Sequence, residues 1–135
     1  MKRNIPAAAR RLLEAAEKAC ACAYAPYSKY RVGAAVQAED DRIFTGCNVE
    51  NASYGLTNCA ERVAMQNAVA AGARRFVMAA VVADGKELPL PCGACRQVLT
   101  EFCPLDMPVW VAGKKRLPTA VRHTLRQLLP HAFRR

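Results

Sequence analysis

Two short motifs carry the residue types most able to do chemistry: Cys59-Ala60-Glu61, and Pro91-Cys92-Gly93-Ala94-Cys95 downstream. They offer three thiolates and one carboxylate. A structural zinc site closes its shell with four protein ligands, whereas a catalytic one leaves a position open for water. Three sulfurs with a proton-handling carboxylate beside them fit the second kind. The Cys-x-x-Cys spacing lets Cys92 and Cys95 reach one ion at about 2.3 Å each. Cys59, Cys92 and Cys95 are therefore the expected metal ligands, Zn²⁺ the expected cofactor, and Glu61 the expected catalytic residue.

Plainer readings compete. Asn58 followed three residues later by Glu61 satisfies the pattern of a helix N-cap with a capping-box acid. Cys92 and Cys95 could form a redox pair, or the cluster could be a structural site completed by Cys47, Cys103 or a histidine. Neither His123 nor His131 sits in a paired motif, and both are placed in the C-terminal helix region. An acid two residues after a ligand, at the mouth of a three-sulfur site, favours catalysis over capping.

The elements that must hold these groups follow from periodicity. Residues 7–23 read as a helix, with Ala8, Leu12, Leu13, Ala16 and Cys20 at helical spacing. Strands over 32–38 and 42–49 make a hairpin around Glu39-Asp40-Asp41. Residues 51–58 form a polar loop, and a helix over 59–71 stops near Gly72. A β-rich run covers 76–83 and a loop 84–91. A helix from Gly93 ends before Pro104, a strand covers 107–112, and a final helix covers 119–129. Cys59 then lies in the first turn of one helix, and Cys92 and Cys95 at the start of another. Free amide N–H groups and both helix dipoles would converge on the thiolates and lower their pKa. Helices alternating with strands after a hairpin imply an α/β layered domain with a mixed sheet.

A chain of 135 residues is one domain by size, 1–135, able to build a core without disulfides. Seven cysteines, an odd number, and a start (Met1-Lys2-Arg3-Asn4-Ile5-Pro6) without the sections of a signal peptide point to a cytoplasmic location. No run approaches the roughly 20 apolar residues of a membrane span. The net charge of +9 invites a nucleic-acid partner. Much of the excess lies near the two ends without interleaved aromatics, so a solvated basic surface is the better reading.

The motif set resembles the zinc deaminases in their three-cysteine form. The stretch Gly46-Cys-Asn-Val-Glu-Asn-Ala-Ser-Tyr-Gly-Leu-Thr-Asn-Cys-Ala-Glu-Arg62 is similar to the small homotetrameric cytidine deaminases. So are Ala25-Pro-Tyr-Ser-Lys29, Pro91-Cys-Gly-Ala-Cys-Arg-Gln-Val98 and Leu128-Leu-Pro-His-Ala-Phe133. The resemblance runs in order through nearly the whole chain. It implies a three-layer α/β/α cytidine-deaminase-like domain with a mixed sheet of about five strands. It implies zinc-dependent hydrolytic deamination of cytidine and 2′-deoxycytidine to uridine and 2′-deoxyuridine, releasing ammonia in pyrimidine salvage. Glu61 would take a proton from water, protonate N3 and supply the departing amino group.

By the same resemblance, Asn48 and Glu50 bind the ribose 3′-hydroxyl. Two apart in an extended segment, they point the same way and offer both donor and acceptor. Ala60 and Tyr30 belong to the substrate pocket, with Tyr30 standing where similar enzymes commonly carry Phe. Arg62, assisted by Gln97, would donate to thiolate sulfur and offset its electron density. Phe133 would close the base pocket of an adjacent subunit in a D₂ homotetramer with shared active sites. Rival functions are deamination of a base in single-stranded nucleic acid, a structural zinc module that binds a partner, and deamination of a nucleoside-like antibiotic of the blasticidin S type. Short loops count against the first, Glu61 against the second, and Asn48-Val-Glu50 with Ala52-Ser-Tyr54 against the third.

Overall fold

The computed structural model describes residues 4–135. The chain runs α1 (Ala7–Cys20), β1 (Val32–Ala38), β2 (Ile43–Cys47), α2 (Ala60–Ala70), β3 (Phe76–Ala83), α3 (Gly93–Phe102), β4 (Pro108–Gly113), β5 (Val121–Thr124) and α4 (Leu125–Leu128). Short 3₁₀ turns occupy Tyr54–Leu56 and Leu117–Thr119. The five strands form one mixed sheet in the order β2-β1-β3-β4-β5. Only β3 and β4 are parallel, and α3 lies in the crossover such a pair requires.

Side-chain alternation along the strands divides the core. Ala34, Val36, Val81, Val109 and Val111 pack with Met65, Leu99 and Leu125 on the side of α2, α3 and α4. Ala35, Ala80, Val82, Trp110 and Ala112 pack with Leu12 and Leu13 of α1 on the other. A sheet apolar on both faces must be covered twice, which makes the expected three-layer α/β/α arrangement. The two helices nearest the hairpin approach unusually closely because glycine sits beneath them. A Cβ on Gly33 would lie 1.9 Å from the carbonyl oxygen of Ala16 in α1, and one on Gly46 would lie 2.3 Å from the amide nitrogen of Ala64 in α2.

The expected helix over 119–129 is not one helix. Val121–Thr124 is an edge strand paired antiparallel with β4, with Val109 opposite His123 and Val111 opposite Val121. Thr124 then caps the single turn α4, its hydroxyl accepting from the Gln127 N–H at 3.2 Å while the Gln127 side chain accepts from the Thr124 N–H at 2.8 Å. The leucine spacing misleads here because β4 offers backbone groups that need partners, and a short isolated helix has little stability to oppose that pairing. His123 therefore lies on β5, and His131 lies beyond α4 with φ +54°. All seven cysteines are free thiols. Among the described residues, no helix is long and apolar enough to cross a membrane.

Candidate active site

The N-termini of α2 and α3 meet at one end of the sheet. Cys59 is the N-cap of α2 and Cys92 the N-cap of α3, both in extended conformation, while Cys95 lies in the first turn of α3. Neither helix has a side-chain cap, so amide donors and helix dipoles face the sulfurs. This placement corrects the capping-box alternative. Asn58 lies outside the helix, exchanging backbone hydrogen bonds of 2.9 Å with Val49 in an isolated bridge. Glu61 is then the second helical residue and is released from capping.

The three Sγ atoms all lie within 4.8 Å of one another, with Cys59 and Cys92 3.8 Å apart and Cys92 and Cys95 3.5 Å apart. Tetrahedral ligation at about 2.3 Å per sulfur sets neighbouring sulfurs about 3.8 Å apart, so these donors fit a zinc ion. A hydrogen bond from the Cys95 thiol, supported by one from Arg62, brings Cys59 down to about 5 against the opposing effect of burial. The same bond to Cys59, with burial, pushes the Cys95 thiol up. Arg62 Nη2 lies 3.4 Å from Cys59 Sγ and 3.4 Å from the Thr57 carbonyl oxygen. Its Nε is buried without a hydrogen-bond partner.

Glu61 is only 7% exposed. Burial pushes its carboxyl up to about 7, the thiolate of Cys59 adding to the effect. A carboxylate poised there can both accept and return a proton near neutral pH.

Beside the sulfurs opens a cavity of about 320 Å³ whose lining includes Tyr30, Asn48, Glu50, Cys59, Ala60 and Glu61. Asn48, Glu50, Tyr30 and Ala60 are thus gathered around one space. Asn48 is also a brace. Its Oδ1 accepts from the Val32 N–H at 2.9 Å, and its Nδ2 donates to the Tyr30 carbonyl at 2.8 Å. One amide hydrogen and one lone pair remain for a ligand.

Glu50 accepts from the Tyr27 and Ser28 backbone N–H groups at 3.0 and 3.1 Å and from the Ser28 hydroxyl. The hydroxyl, followed by these amides, holds the Glu50 carboxyl below the usual carboxylate range. Ser28 also accepts from the Tyr30 N–H at 3.0 Å. Sequence reasoning did not single out Ser28. Its signal was its place inside the Ala25–Lys29 motif, ahead of Tyr30.

The chain matches the family described as "cytidine and deoxycytidylate deaminase zinc-binding region" over residues 6–111, well over half its length. It belongs to that deaminase family. It is 50% identical over 123 residues to the cytidine deaminase of Sporosarcina psychrophila, covering 91% of this chain and 89% of the relative. Against the cytidine deaminase of Halalkalibacterium halodurans the identity is 48% over 122 residues, covering 90% and 91%. The crystal structure of cytidine deaminase from Burkholderia pseudomallei superposes with a TM-score of 0.85 at 46% identity, covering 91% of this chain and 97% of that one.

Two further residues expected at this deaminase site meet at the C-terminal tail. Gln97 donates through Nε2 to the Phe133 carbonyl oxygen at 3.0 Å, so here its amide holds the C-terminal tail. Phe133 itself is 67% exposed.

Proposed function

We propose that this deaminase converts cytidine and 2′-deoxycytidine to uridine and 2′-deoxyuridine by hydrolysis, releasing ammonia, as one catalytic domain over residues 1–135. The observation that carries the reading is the buried Glu61, its carboxyl pushed up to about 7, lining the same cavity as two of the three clustered cysteines. Cys59, Cys92 and Cys95 hold the zinc. When bound, zinc supplies a Lewis acid that makes water acidic enough to attack at neutral pH.

The chain's own residues do the rest. Glu61 accepts one proton of the attacking water and gives it to N3 of the pyrimidine as C4 becomes tetrahedral. As the C4–N bond breaks, it takes the second proton from the C4 hydroxyl, which becomes the carbonyl, and delivers it to the leaving amino group. One carboxyl serves both transfers because each donation returns it to the carboxylate form, ready to accept the next proton. Arg62, donating to Cys59, keeps that sulfur anionic and tempers its electron donation. Asn48 and Glu50 present the donor and acceptor that suit a sugar hydroxyl, with Glu50 held rigid by Ser28 and the Tyr27 amide. Tyr30 and Ala60 shape the walls of the nucleoside pocket.

Phe133 is exposed while its backbone is tethered through Gln97, an arrangement suited to a neighbouring chain. This supports a homotetramer in which the tail of one subunit closes the base pocket of the next. The motif resemblance and the free cysteines fit a cytoplasmic enzyme of pyrimidine salvage. Ammonia release from cytidine, deoxycytidine, CMP and a short oligonucleotide tests the assignment. Comparable turnover of both nucleosides and little of the phosphorylated substrates is expected. Preference for CMP or the oligonucleotide would overturn it.

A further inference from the structure

The connection from β3 to α3 forms part of the cavity wall through Pro89, Leu90 and Cys92. At its start, the Arg31 N–H donates to Asp84 Oδ1 at 3.1 Å and the Asp84 N–H to the Arg31 carbonyl at 3.2 Å. Beyond Asp84 the loop is exposed at Lys86, Glu87 and Leu88, and its own residues offer little to stiffen it.

What fixes it comes from far along the chain. Arg116 Nη2 donates to the Gly85 carbonyl at 2.7 Å and to the Lys86 carbonyl at 3.3 Å. Its guanidinium can lie there only because Gly113 has no side chain. A Cβ at Gly113 would sit 2.4 Å from Nη2, 2.5 Å from Nε and 2.7 Å from Cζ of Arg116. Lys115, at φ +64° with its N–H donating to Glu17 Oε2 at 2.7 Å, turns the chain so that Arg116 faces back across Gly113. Gly85 in turn lies close against the Tyr30 ring, where a Cβ would come 2.7 Å from Cε1. The contacts run Gly113, Arg116, Gly85, Tyr30, and end at the cavity.

We propose that Arg116, seated on Gly113, is a positioning residue that clamps the β3–α3 loop against Tyr30 and so sets the nucleoside-facing wall of the cavity. This rests on the nucleoside reading above. Arg116 touches no reacting group, so its loss acts through the wall: it loosens substrate binding and leaves the proton chemistry at Glu61 in place.

The test uses the zinc-loaded enzyme. In Arg116→Ala, KM for cytidine should rise about tenfold, the scale of a charge-assisted hydrogen bond lost to the loop, with kcat within about twofold. Gly113→Ala should reproduce the effect by displacing the guanidinium, and should add nothing in the Arg116→Ala background, because the atoms it would strike are gone. Trypsin should cut after Lys86 faster in both single variants, with zinc content unchanged. An unaltered KM in Arg116→Ala, additive effects in the double variant, or unchanged trypsin cleavage would each overturn the clamp. A wild-type enzyme inactive on cytidine would instead sink the nucleoside reading, while the trypsin comparison would still judge the clamp.

Discussion

Replacing Gly46 with alanine should damage the active site from beneath. A Cβ there would come within 2.3 Å of the Ala64 nitrogen, 2.7 Å of the Ala60 carbonyl oxygen and 2.9 Å of the Ala64 Cα. Ordinary carbon contacts lie at about 3.5–4.0 Å, and all three atoms belong to the backbone of α2, so the helix itself must retreat by about 1 Å. Overpacking of this kind costs about 1–3 kcal/mol. Unfolding entropy scales at about 2.1 cal/mol/K per residue, so for 135 residues each kcal/mol lowers Tm by about 3.5 °C. A fall of about 4–11 °C is therefore expected. Because α2 carries Cys59 and Glu61 at its N-terminus, a shift near 1 Å should also cost about 10²-fold in kcat.

Gly55→Ala is the control: nothing lies within 4 Å of a Cβ there. Thermal unfolding by circular dichroism at matched protein concentration, with steady-state deamination, reads both effects. A Gly46→Ala protein with the Tm and kcat of Gly55→Ala would refute the argument that this close approach positions the site.

Asn48→Ala removes a brace as well as the proposed sugar contact, so KM should rise and stability fall by about 1–3 kcal/mol, read by kinetics and urea unfolding; a KM effect alone would deny the brace. Glu50 titrates below the usual carboxylate range because the Ser28 hydroxyl favours its charged form. Its proposed contribution to nucleoside binding is thus present above that pKa and lost as pH falls through it. Ser28→Ala should move the acid limb of the KM profile to higher pH, and an unmoved limb would break the link. Among the thiols outside the metal cluster, exposed Cys22 should react first with a thiol reagent. Cys103, which burial pushes up to about 12, should stay unmodified until the protein unfolds, and mass mapping of labelled peptides checks the order. Deleting residues 130–135 should raise KM sharply without removing zinc. An active monomer by light scattering at micromolar concentration would contradict the shared site.

Much of the site was legible because its groups lie in short motifs at helix starts. Cys59, Glu61 and Arg62 fall within four residues, Cys92 and Cys95 within four more, and the exposed amides that surround them follow from any helix N-terminus. The sheet was legible where strands are buried on both faces, as in β1, β3 and β4. β5 was not, because Val121–Thr124 is a strand only by virtue of the free edge of β4. Asn58 read as a cap because its type suits one, yet Val49 takes its backbone into a bridge. Gln97 holding Phe133, and Arg116 holding Gly85, join residues 36 and 31 apart whose meeting depends on the finished fold. No local pattern announces such a pair.

Zinc content and turnover of Glu61→Gln bear most directly on the claim that a three-cysteine metal site works with a single proton-shuttling carboxyl. The variant should keep one zinc per chain and lose about 10²–10⁴-fold in kcat for cytidine, the usual worth of a positioned acid–base group. Retention of more than about a tenth of the wild-type kcat would contradict the proton-shuttle role, and loss of the metal would make Glu61 a ligand instead.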